Sequence, residues 1–128
     1  MILSYSKDRF VHSIKSGRKK HTIREDPKRR WKVEMKIQHW RGNPRNVKQN
    51  PYQFGEGECK GLQEIRMYMY WGVTLCVEVD GREMSQEEIE IIAANDDLTL
   101  GEFQHWFLGD GKEEFKGRII HFTDDLKY

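Results

Sequence analysis

Apolar and polar residues alternate along several short segments of the chain, a pattern typical of half-buried β-strands. Alternation is clearest over residues 62–70 and 73–79, and the turn residues Trp71-Gly72 between them predict an antiparallel pair. Asp80-Gly81 follows directly and indicates a tight hairpin turn. Four shorter strands are predicted at residues 2–6, 22–24, 35–40 and 118–123.

Three short helices are predicted between these strands. The first covers residues 7–16, where Ser6 is placed to cap the start and Gly17 is placed to end the helix with a left-handed residue. Two capping boxes predict the starts of the others, because each has a hydroxyl residue followed three positions later by Glu. These boxes are Ser85 with Glu88, and Thr99 with Glu102.

From residue 41 to residue 57 the alternation is lost and the chain is rich in Pro, Gly and Asn, so one long loop is predicted there. Loops of this length are usually functional or disordered. Five or six short strands with about three short helices predict an α+β fold, built as a small mixed β-barrel decorated by helices. The length of 128 residues predicts that residues 1–128 form a single domain.

The composition narrows the class of protein. Aromatic residues make up 12% of the chain, which argues against disorder, and no apolar run approaches the length of a membrane span. Cys59 and Cys76 have no metal-site spacing and fall in strand-like segments, which favours reduced, packed thiols. We therefore expect a cytoplasmic protein with no membrane association, no metal and no cofactor.

The near-neutral net charge of +1 conceals a strong asymmetry along the chain. Residues 1–50 carry a net charge of +11, whereas residues 51–128 carry −10. A positive half favours a polyanionic partner such as RNA. Two alternatives remain open: the two halves fold against each other and neutralise, or the acidic half docks a partner protein through the helix at residues 86–94.

The most informative segment is Gly17-Arg18-Lys19-Lys20-His21-Thr22-Ile23-Arg24, which places cations and a hydroxyl beside a helix end. This mixture is typical of a surface that binds phosphate or activates a hydroxyl. A purely structural interpretation also exists. The lysines would then be solvated cations favoured by the helix dipole, and Thr22 would bond a neighbouring strand residue.

The pattern Gly17-x-Lys19-x-x-Thr22-x-Arg24, following a first strand and helix, resembles the ASCH domain family. Further similarity follows in the family's order, at residues 30–37, 59–79, 94–100 and 117–123. The resemblance implies a PUA-like β-barrel that binds RNA or handles nucleotides. Some relatives are amidohydrolases that remove the acyl group from N4-acetylcytidine with a lysine, a threonine and a glutamate, and other relatives have been assigned ribonuclease activity.

Lys19 and Thr22 match the first two of those catalytic positions, and Asp96 falls at the third. Threonine needs a base to become a nucleophile, and a lysine can serve if its pKa is lowered toward neutrality by burial or by neighbouring cations. Arg18, Lys20 and Arg24 are the candidate cations. Asp96 would orient the lysine or protonate the leaving amine, although it is one methylene shorter than glutamate. The alternative role for Asp96 is to cap or precede the helix that starts at Thr99.

A second candidate surface is the basic tract Lys28-Arg29-Arg30-Trp31-Lys32. Basic side chains interleaved with aromatics suit single-stranded RNA, because the cations contact phosphates and the rings stack on bases. We therefore expect a positively charged cleft that holds RNA or a nucleotide. Its predicted ligand contacts are Arg18, Lys20, Arg24, Arg29, Arg30 and Trp31.

Overall fold

The computed structural model describes residues 1–128 and has an α+β fold, which confirms the predicted class. Three α-helices and one short 3-10 turn (Val47–Gln49) are combined with eight strands in two sheets. The helices are α1 (Asp8–Lys15), α2 (Gln86–Asn95) and α3 (Leu100–Leu108). The strands are β1 (Ile2–Tyr5), β2 (His21–Arg24), β3 (Lys36–Arg41), β4 (Tyr52–Glu58), β5 (Gly61–Tyr70), β6 (Thr74–Val79), β7 (Arg82–Glu83) and β8 (Glu114–His121).

The smaller sheet has the order β1-β3-β4, and its β1–β3 pair is parallel. The larger sheet is antiparallel throughout, with the order β2-β8-β5-β6-β7. Neither sheet closes on itself. The structure therefore establishes the mixed α+β class, and the closed barrel stays a prediction.

The prediction of one long loop from residue 41 to residue 57 is wrong, because β4 occupies the second half of that segment. β4 pairs with β3, and the register shifts between His39 and Trp40. Gly55 and Gly57 lie against the His39 ring, where an added Cβ would approach ring atoms to 3.8 and 3.6 Å. Glycine has low intrinsic strand propensity, so the hydrogen-bonded pairing with β3 determines this strand and local pattern does not reveal it.

Most helix ends agree with the sequence prediction. Both predicted capping boxes are present, and Gly17 has φ +79° just beyond the end of α1. One assignment is wrong, since Lys7 and not Ser6 occupies the N-cap of α1, without a side-chain hydrogen bond. No helix is long and apolar enough to cross a membrane.

Backbone hydrogen bonds hold the segment before β2 against the end of α2. Lys20 N donates to Asn95 O at 2.8 Å, and Phe122 N donates to Lys20 O at 3.0 Å. The buried core below includes Ile92 of α2, Phe103 of α3 and Ile119 of β8. Lys19 and Asp96, which are far apart in sequence, are brought together by this arrangement.

Candidate active site

Four of the residues that the sequence singled out line one cavity of about 340 Å³. Lys19 precedes β2, Thr22 and Arg24 lie on β2, and Asp96 is the C-cap of α2. Thr22 and Arg24 are two positions apart on a strand, so their side chains point to the same face. The structure thus brings together the three predicted catalytic residues and one predicted ligand contact.

Lys19 and Asp96 form a buried ion pair at this cavity. Lys19 Nζ donates to Asp96 Oδ1 at 2.6 Å and to the Asp96 backbone O at 3.0 Å. Their side chains are only 3% and 5% exposed. Because desolvating two charges costs several kcal/mol for each ion, such a pair is weak evidence of stabilisation. Its burial at the cavity is therefore not explained by stability alone.

The environment lowers the pKa of both partners. Burial penalises the charged ammonium and lowers the pKa of Lys19, although the nearby carboxylate of Asp96 opposes this shift. Burial alone would raise the pKa of Asp96, but Lys19 and His21 together outweigh it, and the pKa falls below its ordinary value. The pair thus combines a lysine and a carboxyl group whose pKa values both lie below their ordinary values, the first because of burial and the second because of its neighbours Lys19 and His21.

The Thr22 hydroxyl is buried, with 4% of the residue exposed, and its oxygen is fixed by Arg24. Arg24 Nε donates to Thr22 Oγ1 at 3.2 Å, and Arg24 Nη2 donates to Ser4 O at 2.8 Å. Thr22 makes no hydrogen bond to Lys19 or Asp96. Its own proton has no protein acceptor, so the hydroxyl is free to donate into the cavity.

One wall of the cavity is apolar and aromatic. It is formed by Tyr5, Phe10, Leu98, Trp106 and Phe107. Trp106 is 48% exposed and packs edge-on against Phe10. Lys19, Thr22 and Arg24 line the same cavity, and the Lys19 ammonium lies 4.7 Å from the centre of the Phe10 ring, so polar and aromatic groups are in contact. This combination is common in small-molecule sites.

Tyr5 is held in this wall by His39, whose Nδ1 lies 2.9 Å from the Tyr5 hydroxyl. Burial, followed by the charges of Arg24 and Lys19, lowers the pKa of His39 to about 4. The unfolded chain, with an ordinary histidine pKa near 6.5, binds a proton more readily than the folded protein does. The contribution of the neutral His39 ring to the free energy of unfolding is therefore fully present above about pH 6.5 and is lost as the pH falls toward 4.

We expect His39→Asn, whose amide oxygen can still accept from Tyr5, to remove that acid-dependent loss, which a pKa lowered from 6.5 to about 4 sets at about 3 kcal/mol. Urea unfolding at a series of pH values measures the slope of the free energy of unfolding against pH. The exposed His12 offers a matched control, and His12→Asn should leave the slope unchanged. An equal slope in His39→Asn and the wild type would show that His39 does not titrate in this way.

Two of the predicted ligand contacts flank the cavity without lining it. Arg18 is exposed, and its Nε lies 3.3 Å from Asp97 Oδ1. Lys20 is partly buried and joins α2 through its backbone. Asp97 precedes α3 without capping it, since Thr99 is the N-cap. The charges of Arg18 and Asp97 therefore compensate each other beside the cavity.

The basic tract lies elsewhere, and the prediction that Trp31 offers a stacking surface is wrong. Trp31 is 6% exposed and belongs to the hydrophobic core. The cause is Asp26, whose carboxylate accepts from Arg30 N at 2.8 Å and from Trp31 N at 3.1 Å, folding this segment back on itself. A basic tract in the sequence gives no sign of this turn.

The arginines of the tract stay exposed but do not join Lys19. Arg29 pairs with Glu64 at 2.8 Å and lines a separate cavity of about 530 Å³. That cavity carries both signs of charge, including Asp26, Glu78 and Arg118. The predicted ligand contacts Arg29 and Arg30 therefore belong to a different surface from the Lys19 site.

Several residues at the site were missed from the sequence: Tyr5, His21, Trp106 and Tyr128. His21 had the clearest signal, because it lies inside the motif between Lys19 and Thr22. No group of three or more metal-ligating side chains is placed to hold a metal ion. Comparison with protein-family models, with curated proteins and with solved structures gives no significant match.

Proposed function

We propose that this protein is an ASCH-type domain with a PUA-like fold that hydrolyses the acyl amide of an N4-acylated cytidine. Lys19, Thr22 and Asp96 would carry the reaction. The motif around Gly17 and the acidic stretch before Thr99 support this assignment, because they supply the residue types that the resemblance implies. Lys19, Thr22 and Asp96 also line one cavity, and this proximity supports the assignment independently of the sequence motif.

One observation carries the proposal: the Lys19 charge is buried and neutralised. A cation that binds phosphate works best when its charge is accessible and uncompensated, as in typical phosphate sites. Lys19 is 4% exposed and its Nζ is 2.6 Å from a carboxylate oxygen. Such a lysine is a weak phosphate ligand but a suitable proton carrier, because burial brings its two protonation states closer in energy.

The size and lining of the cavity fit a nucleoside. Its volume of about 340 Å³ lies at the lower end of the range for small-molecule sites. The half-exposed Trp106 ring would stack against the base, and Lys19, Thr22 and Asp96 would contact the acyl amide at its edge. Stacking on aromatic side chains is a common way to hold bases without charge.

The proposed reaction starts with a proton transfer inside the short Lys19–Asp96 hydrogen bond. A ligand that fills the cavity removes the remaining water, which disfavours the charged pair and favours an amine with a carboxylic acid. The Lys19 amine then moves within hydrogen-bond distance of Thr22, and Thr22 Oγ attacks the acyl carbonyl carbon while its proton passes to Lys19. Asp96 protonates the leaving exocyclic amine as its bond to the acyl carbon breaks, which leaves acyl-Thr22 and free cytidine.

Water completes the cycle by the reverse proton movements. It attacks the carbonyl carbon of acyl-Thr22 and gives one proton to Asp96. Lys19 returns its proton to the Thr22 oxygen as the ester bond breaks. The products are the carboxylic acid and an enzyme ready for the next substrate, so the cycle requires no metal or external base.

The proposal is tested by incubating the purified protein with N4-acetylcytidine and following acetate and cytidine by chromatography. We expect saturable release of both products in equal amounts. N4-methylcytidine, which carries a methyl group in place of the acyl group and so lacks the acyl carbonyl, serves as the matched compound and should stay intact. Absence of acetate release at high enzyme concentration would remove the hydrolase assignment.

Binding of RNA or a nucleotide without turnover is a second candidate, supported by the rim of the cavity. Asn43 and Gln49 line the cavity from the segment between β3 and β4, which also carries Arg45 and Lys48. Those two cations are exposed and have no carboxylate within 4.0 Å. Binding through them would weaken steeply with salt, because each phosphate contact releases counterions.

A further inference from the structure

A buried hydrogen-bond network lies behind Asp96, on the side away from the cavity. Its centre is His21, which is completely buried. His21 Nε2 lies 2.6 Å from the Tyr128 hydroxyl, and His21 Nδ1 lies 3.5 Å from Asp96 Oδ1. Asn95 Nδ2 donates to the same Tyr128 hydroxyl at 2.9 Å. Hydrogen bonds thus join Asn95, Tyr128 and His21, and this row ends with His21 Nδ1 facing Asp96 at 3.5 Å without a hydrogen bond.

The direction of the hydrogen bonds follows from counting protons. The Asn95 amide nitrogen only donates, so the Tyr128 oxygen accepts from it and the single phenolic proton is left to point elsewhere. His21 Nε2 is the other partner within hydrogen-bond distance of this hydroxyl. Tyr128 therefore donates to Nε2, which makes Nε2 the unprotonated ring nitrogen. A neutral ring then carries its proton on Nδ1, the nitrogen that faces Asp96.

The opposite direction of the Tyr128–His21 hydrogen bond is unfavourable for two reasons. If His21 Nε2 carried the proton, the Tyr128 proton would have no acceptor in a partly buried position. The lone pair of Nδ1 would also face the Asp96 carboxylate, which is repulsive. Nδ1 is buried and forms no hydrogen bond, and Asp96 Oδ1 lies 3.5 Å away, so nothing would compensate for that contact. A doubly protonated ring is opposed by burial, which lowers the pKa of His21.

We infer that Tyr128 and His21 are positioning residues that orient the Asp96 carboxylate toward Lys19 through a row of donors running from Asn95. Asp96 Oδ1 accepts from Lys19 on one side and faces the His21 N–H on the other. Both contacts involve the same oxygen, which the 2.6 Å bond from Lys19 holds and which the His21 N–H faces at 3.5 Å. The catalytic part of this inference rests on the proposed hydrolase function, whereas the donor–acceptor direction of the hydrogen bonds from Asn95 through Tyr128 to His21 does not.

The surroundings of His21 are consistent with a dedicated network. The His121 ring packs edge-on against the His21 ring at 5.5 Å, and its Nε2 lies 2.9 Å from Gln63 Oε1. Gln63 Oε1 also accepts from Tyr128 N, and Gln63 Nε2 donates to Tyr128 O. The backbone of Tyr128 is thus tied at two points. Its hydroxyl is held against His21 by these bonds and does not depend on side-chain packing alone.

Long-range ¹H–¹⁵N correlation spectra of the His21 ring in the full chain test the direction of the Tyr128–His21 hydrogen bond directly. We expect Nδ1 protonated and Nε2 unprotonated in the neutral ring. Tyr128→Phe keeps the ring and removes the hydroxyl, so the Nε2 resonance should move and His21 should protonate at a higher pH. Tyr70→Phe, at an exposed tyrosine, should change neither. Protonated Nε2 in the wild type, or unchanged His21 resonances in Tyr128→Phe, would overturn the inference.

Kinetics with N4-acetylcytidine test the catalytic part separately. We expect Tyr128→Phe to lower kcat by about tenfold with little change in KM, as is usual for outer-shell partners of a reactive group. The acid limb of the pH–rate profile should move to higher pH, because Asp96 is stabilised less well as a carboxylate. His21→Asn places an amide donor near the Nδ1 position and should retain more activity than His21→Gln.

The two readouts separate the two possible failures. If no variant and no wild-type sample releases acetate, the proposed function fails while the NMR result still decides the direction of the row. If the wild type turns over and Tyr128→Phe matches it in kcat and pH profile, the positioning role is wrong although the hydrolase assignment stands.

Discussion

Replacing Thr22 by valine should reduce acetate release from N4-acetylcytidine by at least about a thousandfold, as the loss of a nucleophile does in other hydrolases. Valine is nearly isosteric with threonine and suits a buried strand position, so β2 keeps its pairing with β8. The hydroxyl alone is removed. Arg24 Nε loses one acceptor, which costs about 1 kcal/mol of stability and leaves the protein folded.

Thr22→Ser supplies the matched control, because it restores the oxygen on a smaller side chain. We expect it to retain activity within about tenfold of the wild type, since the loss of one methyl group permits some misplacement of the oxygen. Chromatographic rates for the three proteins under identical conditions make the comparison. Substantial turnover by Thr22→Val would show that water is activated directly and that Thr22 only lines the cavity.

Asp96→Asn should lower the free energy of unfolding by about 3–5 kcal/mol at pH 7, the usual effect of removing one partner from a buried ion pair. The loss arises because Lys19 stays buried without a carboxylate and must either carry an uncompensated charge or release its proton. Urea denaturation measures the change. This single substitution is expected to have the largest effect on stability among the residues of the site.

Asp97→Asn is the neighbouring control for that measurement. Asp97 lies 3.3 Å from the exposed Arg18 and 3.8 Å from Arg9, and surface pairs of this kind contribute between about 0 and 1 kcal/mol. Asn also tolerates the left-handed backbone at position 97, where φ is +60°. If both substitutions destabilise the protein equally, the Lys19–Asp96 pair is not the special contact that its burial indicates.

Local signals predicted much of the fold correctly. The capping boxes at Ser85 and Thr99 and the helix end at Gly17 depend on a few adjacent residues, and each is present as predicted. β4 was missed because its glycines carry no alternation and its stability comes from pairing with β3. Trp31 was misplaced because the turn formed by Asp26 depends on backbone hydrogen bonds that composition does not show.

The site was predicted in part for a similar reason. Lys19 and Thr22 lie within one motif, and the resemblance to a known family pointed to Asp96. The partnership of His21 with Tyr128 spans 107 positions and involves no motif. Only the packing of the segment after β8 against α2 and β2 brings that hydroxyl to the ring. Contacts of this kind are decided by the tertiary fold, so they stay hidden until the fold is known.

The central claim is that the buried Lys19–Asp96 pair is a reactive group rather than a structural contact. It is tested most directly by the turnover of N4-acetylcytidine by the double variant Lys19→Met/Asp96→Asn, measured beside the wild type. Exchanging both charges together avoids an unpaired ion, so the double variant should be more stable than Asp96→Asn, although the buried amide of Asn keeps it below the wild type. We predict a folded protein that releases no acetate while the wild type turns over. A folded double variant with wild-type turnover would contradict the claim.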